Sequence, residues 1–302
     1  MEISFRPITI KDKELITSFT LPSDNRNCDY SFSNICSWRF LYDTEFAVVD
    51  KMLLIRFWIE NKTKMVYMAP TEQIDLKHAI ELLETDAKKN GRELCMLGVT
   101  PEAKIRLEEA MPGSFIYLSD RDYFDYIYLR EDLATLRGKK YQAKRNHVNN
   151  FVKTYPYKYI EITPELVPEC LQLESKWFKA NSGGDDEQEL NDERRSMIYA
   201  LNHCEELGLR GGAICVNHQI VAFSFGAPIT YNTFGVHVEK ADVNYEGSYA
   251  IINKEFAAHL PEQYIYVNRE EDLGIEGLRK AKLSYQPTIL LEKSAAIKKL
   301  II

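Results

Sequence analysis

The stretch LRGGAICVNHQIVAFSFGAPITYNTFGVHVEKADVNYEGSYA, residues 209–250, holds three apolar runs and then a loop containing glycine. Leu209 to Val216, Ile220 to Pro228 and Thr233 to Glu239 are rich in β-branched and aromatic residues, and Asn217-His218-Gln219 and Thr230-Tyr231-Asn232 separate them. That pattern predicts an antiparallel meander. Asn244-Tyr245-Glu246-Gly247-Ser248-Tyr249-Ala250 then leads into an amphipathic helix to about His259, a strand from Tyr264 to Asn268, a short helix around Ile275 to Lys282 and a last strand near Thr288 to Glu292. Upstream, Tyr157 to Ile162 alternates as a strand, Thr163-Pro164 caps a helix to about Lys179, the polar segment Asn181 to Gln188 with Gly183 and Gly184 is a loop, and Glu189 to Leu207 is a second helix. The second half thus reads β-α-α-β-β-β-α-β-α-β.

Working outward, the first half shows much of the same order. A strand spans Ile3 to Ile8, a helix Lys11 to Thr17, and two or three strands Phe46 to Met68 with turns at Asp50-Lys51 and Asn61-Lys62. A helix from Ile74 to Lys89, a strand from Glu93 to Val99, a helix from Pro101 to Met111 and strands Phe115 to Leu118 and Tyr123 to Leu129 follow. The expected organisation is two α/β (α+β) domains, residues 1–135 and 157–302, each a mixed, mainly antiparallel sheet flanked by helices, joined by a basic linker helix at 136–156.

The chain has 302 residues, 45% hydrophobic and 27% charged, which excludes disordered and fibrous classes, and a net charge of −7, which argues against a whole-protein nucleic-acid coat. Six cysteines are scattered without a C-x-x-C pair or zinc-ligand spacing, so the expectation is a reduced, cytoplasmic protein with no metal. Met1 to Arg6 lacks a signal-peptide pattern, and the longest stretch without Asp, Glu, Lys or Arg, Gly211 to Val238, is interrupted too often by polar residues for a membrane helix.

The order strand, glycine loop, helix, strand resembles the GNAT acyltransferase superfamily, in which such a loop holds the pyrophosphate of acyl-coenzyme A. The resemblance assigns Gly247 and the amides of Ser248, Tyr249 and Ala250 to that cradle, where a helix N-terminus attracts an anion. Gly247 and Ala250 miss the two small-residue positions of the family pattern, and Asn244 stands where a basic residue is usual. Three stretches narrow the likeness: Asp29-Tyr30-Ser31-Phe32-Ser33-Asn34 with Trp38; Leu136-Arg137-Gly138-Lys139-Lys140-Tyr141 through Lys144-Arg145-Asn146-His147; and Asn268-Arg269-Glu270-Glu271-Asp272-Leu273-Gly274 with Gly277 to Lys282 and Ser284-Tyr285. Together they resemble an uncharacterised bacterial family related to the C-terminal domain of phosphatidylglycerol lysyltransferase. That resemblance implies transfer of an acyl or aminoacyl group from acyl-coenzyme A or aminoacyl-tRNA to an amine or hydroxyl acceptor.

The residues divide into candidate roles. Seven cations and no acid lie between Arg137 and Lys158, so Lys140, Lys144 and Arg145 are candidates for the phosphates of a tRNA acceptor end or of coenzyme A, or else form a solvated linker. Asn268, Arg279 and Lys282 suit a phosphate or carboxylate, and a structural ion-pair network would have the same composition. Glu239 and Asp272 are candidate bases and Tyr285 a candidate acid. His237 alternates with Val236 and Val238 and so faces away from them, either lining the site or, as the favoured reading, a satisfied half-buried histidine. Tyr30 and Trp38 would form one wall of an acceptor site between the halves, or else pack the seam between them. Cys215 has no His or acid at diagnostic spacing, which favours direct attack on the carbonyl over a covalent cysteine route. The first-half counterpart of the glycine loop, Pro70-Thr71-Glu72-Gln73, has no glycine and carries an acid, so the donor is expected in the second half. The competing reading is a non-catalytic protein that binds a tRNA end or nucleotide through the basic helix; the oligomeric state stays open.

Overall fold

A computed structural model describes residues 3–71, 75–182 and 187–299. Among them are fourteen strands: β1 (Arg6–Pro7), β2 (Glu45–Val49), β3 (Met52–Ile59), β4 (Lys64–Met68), β5 (Cys95–Val99), β6 (Phe115–Ser119), β7 (Asp125–Leu129), β8 (Tyr157–Glu161), β9 (Arg210–Val216), β10 (Gln219–Pro228), β11 (Thr233–Ala241), β12 (Tyr266–Asn268), β13 (Ile289–Leu291) and β14 (Ser294–Lys298). The helices of the first half are α1 (Lys13–Thr20), α2 (Phe32–Ser37), α3 (Arg39–Tyr42), α4 (Leu76–Lys89), α5 (Pro101–Ala110) and α6 (Arg130–Thr135). Those that follow are α7 (Gln142–Thr154), α8 (Val167–Asn181), α9 (Glu187–Asn202), α10 (Cys204–Leu207), α11 (Ser248–His259) and α12 (Glu276–Leu283). The expected glycine loop at Gly183-Gly184, the first-half residues Glu72 and Gln73 and the helix start at Ile74 lie outside the described residues.

The strands form two seven-stranded sheets, ordered β1-β2-β3-β4-β5-β14-β6 and β13-β7-β12-β11-β10-β9-β8. Each has one parallel pair, β4 with β5 and β11 with β12, and antiparallel neighbours elsewhere, as the mixed pattern predicted. A helix crosses between the members of each parallel pair, α4 in the first sheet and α11 in the second. The expected turns recur with left-handed backbone at Asp50-Lys51 and at Asn217-His218, the geometry that tight hairpins require.

The division at residues 135 and 157 does not describe the sheets. β7, from the first half, lies inside the second sheet between β12 and β13, and β14, at the end of the chain, lies inside the first sheet between β5 and β6. The two sheets have exchanged strands. A short run such as Tyr123 to Leu129 reads as a strand from its own alternation, but its partners are fixed by contacts remote in sequence.

Three buried clusters hold the layers together. Met52, Leu83, Met96 and Ala296 pack the first sheet on α4 and α5, with Ala296 contributed by the exchanged strand β14. Phe234, Ile251 and Phe256 pack the second sheet under α11, joined by Leu133 of α6 and Phe151 of α7. The third cluster belongs to both halves: Ile16, Phe32, Phe46 and Ile55 meet Leu173, Met197, Phe223 and Phe225. Burial of these side chains, about 1.5–3 kcal/mol each, makes the halves one folding unit rather than beads on a linker. Among the described residues, no helix is long and apolar enough to cross a membrane.

Candidate functional site

The site grows from the parallel pair in the second sheet. β11 and β12 are in register only over Thr233↔Tyr266, Phe234↔Val267 and Gly235↔Asn268. Beyond Asn268 the backbone follows β7 instead, with Arg269 N donating to Tyr126 O (2.8 Å) and Tyr126 N to Glu270 O (3.2 Å), while β11 continues to Ala241. The strands therefore part, and the gap starts beside a bulge. Phe225 faces Val238 and Gly226 faces Val236, which leaves His237 as an extra residue on β11. A bulge re-aims its side chain, so the simple alternation of Val236, His237 and Val238 does not hold. Gly226 permits this geometry, because a β-carbon there would collide with the Gly235 carbonyl oxygen.

Two side-chain bridges cross the gap. His237 Nδ1 lies 2.8 Å from Glu270 Oε1, and its Nε2 lies 3.1 Å from Ser31 Oγ, which comes from the start of α2 in the other half. Asn34 Nδ2 donates to the same Glu270 oxygen (2.7 Å), and Asn268 Oδ1 accepts from the Glu270 amide (2.7 Å), which holds Glu270 at φ +60°. The second bridge joins Glu239 to Arg269 (2.9 Å), with Asn253 of α11 donating to the other Glu239 oxygen (3.2 Å). Lys144 Nζ lies 4.1 Å above the Tyr285 ring, and the Arg269 guanidinium is 5.0 Å from that ring. Burial, helped by Arg269, lowers the Lys144 ammonium below the ordinary lysine range.

The next residues of the motif turn elsewhere. Glu271 pairs with buried Lys293, whose Nζ is also 2.8 Å from Asp125 and 3.4 Å from Asp29. Asp125 is fully buried, accepts from the Cys28 amide (2.9 Å) and from Asn268 Nδ2 (2.7 Å), and burial pushes its carboxyl up to about 6 although Lys293 opposes the shift. Burial and Asp125 likewise push the Cys28 thiol well up. Asp272 accepts from Arg279 (2.9 and 2.7 Å), Arg121 (3.3 Å), the Gly274 amide (2.9 Å) and the Tyr126 hydroxyl. Burial alone would raise this carboxyl, but the Arg279 guanidinium, the Tyr126 hydroxyl and the amide hold it well below the ordinary range.

The sequence candidates therefore separate. Glu239, Lys144 and Tyr285 come together at the gap. Asp272 does not serve as a base, because two guanidinium groups, a phenol and an amide occupy its oxygens. Arg279 is spent on Asp272 and on Asp122 (2.5 Å), and Lys282 is buried with its ammonium on the carbonyl oxygens of Arg269 (2.5 Å) and Glu271, so neither offers charge to a phosphate. Asn268 ties β12 to Asp125 rather than to a ligand. Lys140 sits in a separate turn, Lys139–Tyr141, ahead of α7 and pairs with Asp132 (3.2 Å), so it does not share a helical face with Lys144. Arg145 caps α6 through the carbonyls of Leu136 and Gly138 (2.6 Å). Tyr30 is buried with its hydroxyl on Ala69 O, not lining an open wall, and half-buried Trp38 packs with Phe40 and Tyr42.

The glycine loop adopts the expected shape but faces another element. Gly247 has φ +87° and precedes α11, yet a β-carbon there would stand 2.8 Å from the His147 carbonyl oxygen of α7. Ser248 and Ala250 are buried, the Ser248 amide donates to Tyr245 O (3.0 Å), and Tyr249 holds Trp177 through its hydroxyl (3.0 Å). A backbone carbonyl stands against this loop, which does not fit a bound pyrophosphate. The features hidden from the sequence are the His237–Glu270–Ser31 chain and the Lys293 cluster. Gly226 on β10, which faces Val236, and Gly235 on β11, which faces Ala227, are the trace of the first; a lone Lys293 after Glu292 gives none of the second.

A family model for the C-terminal part of phosphatidylglycerol lysyltransferase matches residues 22–297. A protein of unknown function from Bacteroides thetaiotaomicron is similar in sequence and structure: 57% identical, TM-score 0.95, with 98% of this chain and 100% of that chain covered. L-PGS from Bacillus licheniformis shares the fold at 15% identity, TM-score 0.67, with 99% and 94% of the two chains covered. An uncharacterized protein of Mycoplasmoides gallisepticum is 25% identical over 170 residues, 56% of this chain, and the chain spans about half of that relative's length, 54%. The chain, with its two mixed sheets and exchanged strands, belongs to the family of the phosphatidylglycerol lysyltransferase C-terminal domain.

Proposed function

We propose that the chain transfers an aminoacyl or acyl group from a phosphate-bearing donor to an amine or hydroxyl acceptor by direct attack, with His237 as the base. The observation that carries this reading is the His237 bridge: Glu270 on Nδ1 orients the ring, and Nε2 is in hydrogen-bond reach of a hydroxyl, that of Ser31. An acceptor O–H or N–H in the place of the Ser31 hydroxyl would pass its proton to Nε2 as the acceptor attacks the donor carbonyl. As the tetrahedral intermediate collapses, the leaving oxygen or sulfur takes the proton that Nε2 accepted. Family membership supports aminoacyl-tRNA as donor, and the Gly247 loop pressed against α7 counts against coenzyme A. The exposed cations Arg137, Lys139, Lys140, Lys153 and Lys158 supply a surface for a tRNA acceptor end. Free thiols at all six cysteines agree with a cytoplasmic setting, where aminoacyl-tRNA is available.

One observation favours the second reading, a non-catalytic protein that binds a tRNA end or nucleotide: Ser31 is fully buried and already occupies Nε2. Transfer of radiolabelled amino acid from aminoacyl-tRNA, and of acetyl from acetyl-coenzyme A, to a panel of amines and hydroxyl compounds separates the two. His237→Ala should slow transfer about 10²–10⁴-fold. A rate within about twofold of wild type would remove His237 from the mechanism, and binding of tRNA with no transfer to any acceptor would leave the binding-protein reading.

A further inference from the structure

The Glu239 side of the gap has more buried hydrogen-bonding capacity than the protein itself uses. Arg269 is fixed by Glu239 through Nη2, while its Nη1 is buried without a hydrogen-bond partner. Asn253 is 5% exposed; its Nδ2 donates to Glu239, which fixes the orientation of the amide, and its Oδ1 is also buried without a partner. Lys144 Nζ rests over the Tyr285 ring instead of on a carboxylate. Leaving a buried donor and a buried acceptor unmade is costly, and a folded chain retains such groups where a ligand completes them. Lys144 and Arg269 are two cations to the single carboxylate Glu239, so the missing ligand carries negative charge. The open Asn253 oxygen asks for an O–H or N–H on the same ligand. Inorganic phosphate meets the second demand only by turning its own P–OH toward Asn253, whereas a ribonucleotide meets the two demands with separate groups, phosphate oxygens and a ribose hydroxyl.

We infer that Lys144, Arg269, Asn253 and Tyr285 frame a recess that binds a ribonucleotide phosphate, with phosphate oxygens on Lys144 and Arg269 Nη1 and a ribose hydroxyl on Asn253 Oδ1. The assignment rests on the phosphate-bearing donor proposed above and gives that donor a site other than the covered Gly247 loop. The helix that closes the loop, α7, is also the one that delivers Lys144. Both chemical sources of a ribonucleotide end remain distinguishable: the terminal adenosine of an RNA carries a 5′-phosphate, and the nucleotide end of coenzyme A carries 3′- and 5′-phosphates.

Isothermal titration with adenosine 5′-monophosphate, adenosine 3′,5′-bisphosphate, inorganic phosphate and free lysine tests this on the full chain. A nucleotide should bind, inorganic phosphate more weakly, and Lys144→Gln should raise the nucleotide Kd at least about tenfold, as expected for a charged hydrogen bond worth about 1.5–3 kcal/mol. Asn253→Asp, which sets a second carboxylate beside Glu239, should abolish binding, and thermal unfolding of both variants without ligand verifies that they are folded. Preference for the monophosphate assigns the recess to an RNA end, and preference for the bisphosphate to coenzyme A. The inference is overturned if neither nucleotide binds, if the folded Lys144→Gln protein binds as wild type does, or if free lysine occupies the recess in their place. Nucleotide binding without transfer activity would sink the transferase reading alone, and transfer that is indifferent to Lys144→Gln would sink this site alone.

Discussion

Replacing Lys293 by methionine keeps the length of the side chain and removes the charge that Asp125, Glu271 and Asp29 share. Asp125 is fully buried and Lys293 is 5% exposed at the side chain, so Asp125 left behind has no access to bulk water, whereas Glu271 and Asp29 keep partial access. Breaking a buried ion pair by removing one partner costs about 3–5 kcal/mol. At an unfolding entropy of about 2.1 cal/mol/K per residue, a chain of 302 residues loses about 1.6 °C of melting temperature per kcal/mol, so the expected fall is about 5–8 °C.

The pH dependence gives this prediction a sign. The Asp125 carboxyl already titrates at about 6 in the folded protein, above its unfolded value of 3.8. Between those values the folded state binds more protons than the unfolded state, and this group's contribution to stability declines as pH rises. Without Lys293 the Asp125 carboxyl moves higher still, Glu271 loses the ammonium that holds its carboxyl below the ordinary range, and the decline extends to neutral pH. The melting-temperature difference between wild type and Lys293→Met should therefore be largest near pH 8 and shrink toward pH 5, where the orphaned carboxylates take up protons. Circular dichroism melts at the two pH values measure it. A loss below about 2 °C at pH 8, or a larger loss at pH 5 than at pH 8, would refute the view that this ammonium holds the strand exchange together.

Gly226→Ala places a methyl against the Gly235 carbonyl at the bulge and should destabilise by about 3 kcal/mol or more, read as a fall in the urea midpoint with an unchanged slope. Asp272→Asn should lower stability at pH 7 and flatten its decline below about pH 4: the depressed folded-state pKa contributes stability above the unfolded value, and this is lost as pH falls toward the folded one. A fragment of residues 1–156 lacks β14, which leaves the facing edges of β5 and β6 unpaired, and lacks the second-half side chains of the shared cluster, so it should be insoluble or unfolded by circular dichroism.

Local order was legible in the sequence where local physics decides it. The meander from Leu209 to Glu239, the turns at Asp50-Lys51 and Asn217-His218, and the glycine before α11 follow from alternation and backbone freedom. The contents of the gap were partly legible, since Glu239, Lys144 and Tyr285 were marked for their chemistry and do meet. Pairing partners were not. Nothing within Tyr123 to Leu129 distinguishes a strand of the first sheet from one of the second, and Ser294 to Lys298 is too short and too far from β5 to announce its place. Charge was the least legible of all. Asp272 and Arg279 have the composition of a ligand site and the geometry of an ion pair, and only the positions of Tyr126 and Arg121, on a segment about 150 residues earlier, decide between them.

The motif Asn268 to Asp272 shows why the exchanged strands and the candidate base belong to one design. The backbone leaves β12 after Asn268 and turns at Glu270, so five polar residues in a row reach different neighbours: Asn268 takes Asp125, Arg269 takes Glu239, Glu270 takes His237, Glu271 takes Lys293 and Asp272 takes Arg279. An apolar version of this segment would bury at lower cost, since desolvating charges usually offsets most of what they gain. It would not fix direction. Glu270 can hold the His237 ring only if its backbone stays at φ +60°, and the Asn268 side chain that accepts from its amide is itself held by Asp125 at the start of the exchanged strand β7. Asp125 in turn is neutralised by Lys293, one residue before the other exchanged strand. The orientation of the base is thus determined by both crossings, and a change at Lys293 should reach His237 through Asp125, Asn268 and Glu270 without touching the reacting atoms.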